Sequence, residues 1–194
     1  GGNGGNGRDI SPSYPGATLT NCGVFGGGGG GAGDGPGGGA GGAGGPGGGG
    51  VGSGPSTPTA GSGTANTGGG GGGGENTRGN SGAGGSGVVI VKELNKASGV
   101  WSMQSQLQAK QQGTWPARTF TADLLMVAGG GSGGSHCALG GGGAGGLIFQ
   151  EVRVIEAGSL DVVIGAGATA QPGPAEGVTG NDTTFGGLTA KGGG

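Results

Sequence analysis

The sequence predicts a mostly β fold with polyglycine II helices. A small antiparallel β assembly is joined to a bundle of Gly-rich rods, with one short α-helix as connector. Three observations predict it. Glycine supplies 66 of 194 residues, about one third against roughly 7% in ordinary chains. Non-glycine residues inside the glycine tracts recur three apart. The large apolar residues gather in a few short, β-branched runs.

Such a glycine content first suggests collagen, but collagen needs a strict Gly-X-Y repeat rich in proline. Here there are 9 prolines and no strict repeat. Disorder is the next alternative, because Leu, Ile, Val and Phe number only 30, under the roughly 20% floor of globular chains. A disordered chain also wants a high net charge, and this one carries −2. With few charges to solvate, backbone–backbone pairing becomes competitive. Residues 1–87 hold 42 glycines and only five of those apolar residues, Ile10, Leu19, Val24, Phe25 and Val51. An ordinary core is therefore expected only from the second half.

In "GGNGGNG" Asn3 and Asn6 are three apart, and so are Ala40, Ala43 and Pro46 in "GGGAGGAGGPGGGG". Three residues per turn is the period of polyproline-II geometry. One face of such a rod would carry Asn or Ala, and the other two would be bare glycine. Bare faces let neighbouring rods approach until their N–H and C=O groups bond to each other. An isolated tract would instead be a flexible linker, since ordering each residue costs about 1–2 kcal/mol. Only a bundle, in which every added rod satisfies many backbone groups, offsets that cost.

Between the tracts, 8–25, 53–67, 75–81 and 135–139 are rich in Pro, Ser, Asn and Thr and read as surface loops. Five segments read as strands: 87–93, 121–129, 146–158 with Val152 and Val154 alternating, 158–167 with Leu160, Val162 and Ile164 on one face, and a weaker 183–192. The Gln-rich stretch 101–116 reads as a helix. Ser102 is its N-cap, Met103 and Leu107 share a face, and Gly113 and Pro116 end it.

The chemistry on offer is sparse. Gly-x-Gly-x-x-Gly matches abound, as one-third glycine dictates, but none joins a strand, a helix and a well-placed acid. His136 is the single histidine and sits beside Cys137, where adjacent side chains of a strand would point apart. Asp34, Glu75, Asp161 and Asp182 are scattered, with no calcium-loop pattern. Asn181–Thr183 is a glycosylation acceptor pattern that matters only in a secretory pathway. Eight basic residues without a cluster argue against nucleic-acid binding. No apolar run is long enough to span a membrane as a helix. A Cys22–Cys137 disulfide and two free thiols are both open. Trp101 and Trp115 flank the helical connector and are expected to pin it against a neighbour. Tyr14, between prolines, is expected on a loop, either exposed as a ligand contact or packed in the turn. Arg8, Thr57, Arg78 and Asn80 are the other candidate receptor or ligand contacts. No cofactor, no metal and no catalytic residue is expected.

"TADLLMVAGGGSGG", "GGGGAGGL", "VIGAG", "FGGLTAKGGG" and "GAGGSGVVIV" together resemble the glycine-rich domain of bacteriophage tail fibres and adhesins. In that family the elements run from the "VAGGG" strand to the "VVIV" strand. Here the opening elements lie at 121–194 and the closing ones at 1–93, with 94–120 as connector. The resemblance covers nearly all of the chain outside the connector, which itself looks like a linker between tandem units. Three arrangements follow. The chain is a window on a longer tandem protein; or copies complete each other head to tail, which builds a filament when the contact does not close; or the domain closes within one chain. The absence of an initiator Met favours a processed or excised piece. Gly1 and Gly194, Val88, Val89, Ile90 and Val91, and Leu124, Leu125, Met126 and Val127 are the candidate junction residues, with the two tryptophans. The resemblance implies a non-enzymatic structural protein of a virion or extracellular fibre, packed from polyglycine II rods. Copies of itself are the expected partners, and a host cell-surface receptor is a further one. An adhesin with variable loops and a secreted matrix fibril are the alternatives.

Overall fold

Glycine tracts become structure here by hydrogen bonding to one another at every third residue. Gly4 and Gly7 donate to Ala43 and Pro46 (2.8 and 2.7 Å), so the 1–7 and 39–46 rods run parallel. Gly28 and Gly31 donate to Gly5 and Gly2 (both 2.9 Å), so 26–33 runs antiparallel to 1–7. The same spacing links rods 49–54, 60–64, 69–75, 80–87, 128–135, 140–146, 165–171, 175–182 and 191–194. The computed structural model describes residues 1–14, 19–33, 39–55, 59–75, 79–93, 102–113, 119–135, 140–156, 158–172 and 174–194.

Two rods lie at the centre of this lattice. The 69–75 rod exchanges hydrogen bonds with rods on all six sides: 26–33, 49–54, 60–64, 80–87, 128–135 and 140–146. The 128–135 rod also has six neighbours, among them 165–171, 175–182 and 191–194. Both are buried along their length. Rods from 1–93 and from 121–194 thus share one lattice. A Cβ at Gly72 would overlap the carbonyl of Val51, and one at Gly130 the carbonyl of Gly69. Glycine is required there by close approach rather than by backbone angle. Where the lattice is imperfect, hydroxyls take the place of backbone partners. Ser132 Oγ accepts from Val178 N (2.9 Å), and Thr183 Oγ1 accepts from Gly165 N while donating to Val127 O.

Regular elements occur in the order β1 (Arg8–Asp9), β2 (Val24–Phe25), β3 (Val88–Glu93), α1 (Met103–Gln111), β4 (Thr119–Val127), β5 (Leu147–Glu156), β6 (Val162–Val163), β7 (Thr183–Phe185) and β8 (Leu188–Ala190). Three small antiparallel sheets result: β1-β2, β3-β4-β5 and β6-β7-β8. The central strand β4 is buried on both faces. Ala122, Leu124 and Met126 pack with Ile155, Phe185 and Ala190. Leu125 and Val127 pack with Ile10, Tyr14 and Phe25. Among the described residues, the mostly β class with rods and a single short α-helix holds.

Several local expectations need correction. Segment 8–25 is not simply a surface loop. Ile10, Tyr14 and Phe25 are buried because one face of β4 would otherwise meet water. The core therefore draws on the first half of the chain as well. Segments 53–67 and 75–81 are partly lattice, and Ser53, Thr67 and Ser81 are buried. The run 158–167 forms only β6, and Leu160, Val162 and Ile164 are exposed, with that face left open among the described residues. Its residues 165–167 turn to rod geometry instead, with Gly165 and Ala166 accepting from Gly87 and Asn181.

The helix matches its sequence signals. Ser102 Oγ accepts from Ser105 N (3.1 Å), and Gly113 stops it in the left-handed region (φ +68°). None of its residues is buried, Met103 and Leu107 included. No helix among the described residues is long and apolar enough to cross a membrane.

Candidate functional site

The hydrogen-bond registers sort the rods by direction, and direction sorts the connections. All three sheets lie at one end of the bundle, beside residues 7, 26, 87, 128, 146, 165, 182 and 191. The rods deliver residues 33 and 39, 54 and 60, 75 and 80, 135 and 140, and 171 and 175 to the opposite end. The rod ends that flank the polar connections therefore converge on one surface.

The sheet end holds the cluster with most chemistry. Tyr14 is 4% exposed, its ring centroid 6.3 Å from that of Phe149 and tilted by 56°. Its buried hydroxyl has no hydrogen-bond partner among the described residues. Burial first, and the nearby Asp123 carboxylate second, push its pKa up to about 12. Lys92 Nζ lies 5.6 Å from the Tyr14 ring centroid, donates to Ser13 O (2.9 Å) and is 3.7 Å from Asp123 Oδ2. Arg8 lies over the Phe149 ring at 5.5 Å. Asp123 is buried at a β-bulge, where the register shifts between Ala122 and Leu124. Its Oδ1 accepts from Val152 N (3.0 Å), and Val152 sits at φ +52°. The carboxylate supplies the bond that the bulge removes from the ladder. This is a structural arrangement, a lysine tying 8–14 to the β3-β4-β5 sheet and an acid tying β5 to β4 within it.

The sequence-derived candidates do not form one site. Arg8 is exposed at the sheet end, Asn80 is exposed at the opposite end, and Thr57 and Arg78 lie outside the described residues. The exposed placement considered for Tyr14 is corrected, since the turn packs it against Phe149 and Phe25's cluster. Sequence reasoning missed Lys92, Asp123 and Phe149. The available signal was the lone acid inside the apolar run "TADLLMV". The candidate junction is a strand pair within one chain, with Val88 opposite Val127, Val89 opposite Met126, Ile90 opposite Leu125 and Val91 opposite Leu124. Gly1 N donates to Ala40 O (2.6 Å), and Gly194 O accepts from Gly143 N, so the two glycines lie on different rods. Cys22 is exposed. Cys137, His136, Trp101 and Trp115 lie outside the described residues, and the disulfide and tryptophan expectations with them.

A cavity of about 320 Å³ opens between the end of β5 and the β7–β8 turn, lined by Arg153, Ile155, Leu160 and Phe185 among others. No group of three or more His, Cys, Asp or Glu residues converges on a common point among the described residues.

A family model described as a glycine-rich domain matches residues 108–194. No curated protein and no solved structure matches the chain.

Proposed function

We propose that this chain is a non-enzymatic structural module of a fibre, of the kind that phage tail fibres and adhesins carry, built to hold a fixed shape outside the cell. The observation that carries this reading is the lattice itself. Two rods are hydrogen-bonded on all six sides, and rods from both ends of the sequence interleave. A body knit by backbone bonds at every third residue resists local opening, which suits a load-bearing or protease-exposed part. Pairing of β3 with β4 inside one chain occupies the edges that head-to-tail copies would share, so a discrete module is favoured over self-polymerisation. Electron microscopy of the purified chain over a dilution series tests this. Discrete particles at every concentration are expected, and long uniform filaments would overturn the closed module.

A second reading, a receptor-binding tip, is favoured by one observation. The described residues that flank four polar connections, 33 and 39, 54 and 60, 75 and 80, and 135 and 140, all lie at the end of the lattice away from the sheets. Such placement displays variable sequence on a rigid base. Exchanging one connection between related proteins should change binding to host cells and leave the melting temperature alone. Unchanged binding after all four exchanges would remove this reading.

A further inference from the structure

The rods occupy a triangular lattice, and among the described residues one lattice position is empty but has rods on three of its sides. It is a trough of about 370 Å³, walled by the 1–7 and 140–146 rods and floored by 26–33. In the registers above, every other empty position at the lattice margin touches at most two rods.

The backbone groups lining this trough follow from threefold symmetry. N–H groups of a rod fan out in three directions roughly 120° apart, repeating every third residue. In the 140–146 rod, Gly142 and Gly145 donate to the 69–75 side, and Gly143 and Gly146 donate to 191–194. The remaining class, Gly141 and Ala144, points into the trough. In the 1–7 rod, Gly4 and Gly7 donate to 39–46. The same handedness turns Gly2 and Gly5 toward the trough and Asn3 and Asn6 away from it. On the floor, Gly28 and Gly31 carbonyls accept from 39–46, and Gly27 and Gly30 carbonyls accept from 69–75. The carbonyl of Gly29 is left facing the opening. The N–H groups of Gly2, Gly5, Gly141 and Ala144 and the carbonyl of Gly29 have no partner among the described residues. Donors on both walls and an acceptor on the floor are what one further rod needs, whichever way it runs.

A second observation agrees. Outward positions elsewhere carry side chains, such as Ala40, Ala43, Pro46 and Val51. Gly2 and Gly5 are bare, although a Cβ there would meet no atom within 4 Å. The same freedom recurs in the rods at Gly39, Gly140 and Gly194, each at the end of a rod, whereas Gly5 lines the trough and Gly2 lies three residues before it on the same rod.

We propose that the trough is the seat for one more polyglycine II rod, supplied by another polypeptide as an uncharged tract with glycine at two of every three positions. Two of the three faces of such an occupant meet the walls and must be bare, and the third faces water and accepts any residue. The protein's own edge tract 60–64 does not fit in trans, because Ser62 and Thr64 lie on different faces of the rod and at least one of them would meet a wall. The proposal stands independently of the fibre reading, although a fibre gives such a seat an obvious use.

The test uses the full chain, isotope-labelled, and a capped (Gly-Gly-Asn)₃ peptide followed by amide NMR. Ordering a glycine-rich peptide is costly, so a dissociation constant on the order of 1 mM is expected. Shifts should centre on Gly2, Gly5, Gly141 and Ala144, with amide exchange there slowed about tenfold at saturation. A capped (Gly-Asn-Asn)₃ peptide should give no response. Gly5→Leu fills the trough without touching the lattice, so it should keep the melting temperature and abolish the response. Absence of shifts with wild type, shifts centred elsewhere, or an equal response in Gly5→Leu would each overturn the proposal.

Discussion

At the scale of single residues, the lattice makes neighbouring glycines unequal. Ala43 is exposed on the outer stripe, whereas a Cβ at Gly45 would overlap the carbonyl of Gly5. Ala43→Leu should therefore change stability by no more than about 0.5 kcal/mol, and Gly45→Leu should cost more than about 4 kcal/mol. Chemical denaturation of both variants checks this, and equal losses would refute the three-residue period. Tyr14, the only tyrosine, gives a second prediction. Its pKa is raised to about 12 from the ordinary 10.0. The unfolded chain thus loses the phenolic proton first, and stability must fall as pH rises from about 10 to about 12. A tyrosinate absorbance titration should show one midpoint near 12. Tyr14→Phe should remove that part of the alkaline loss and cost little at neutral pH, because the hydroxyl has no partner to lose among the described residues.

At the scale of elements, the sheet depends on one bulge. Asp123 replaces a ladder bond and holds Val152 N, and Val152 pays for this with a left-handed backbone. Asp123→Ala should destabilise by about 1–3 kcal/mol, since the Val152 donor loses its acceptor. Val152→Gly should be neutral or stabilising by up to about 1 kcal/mol, because relief of strain offsets glycine's entropy and the side chain is largely exposed. Thermal melts of the two variants separate them, and a marked loss in Val152→Gly would argue that the bulge is not strained. The short helix offers a contrast. Its cap and stop are legible in "SMQS" and "QQG", yet it buries no residue, so its ends come from local chemistry alone.

At the scale of the whole molecule, stability should follow the number of neighbouring rods. Amides of 69–75 and 128–135, bonded on all sides, should exchange only through global unfolding. Those of 103–111 should exchange fastest, since that helix buries no residue. Native-state hydrogen exchange reads this directly. Comparable protection in the helix and the two central rods would mean that the lattice is not the source of rigidity.

The amino-acid sequence by itself determined the rod period, through Asn3 and Asn6 and through Ala40, Ala43 and Pro46. It also determined the apolar runs that became β3, β4 and β5, and the helix with its cap. Each of these is set by neighbours within a few residues, which is why pattern alone reveals them. Which rod lies beside which was not legible, because bare glycine faces carry no identity and any two tracts pair equally well. The burial of Ile10, Tyr14 and Phe25 was hidden for a related reason: their partner is the second face of β4, one hundred residues or more away in the chain. Only the tertiary structure decided the neighbours of each rod, the end at which the residues flanking the polar connections gather and, among the described residues, the one trough with three walls. These depend on contacts between tracts far apart in sequence, and backbone hydrogen bonds make those contacts without leaving a mark on residue type.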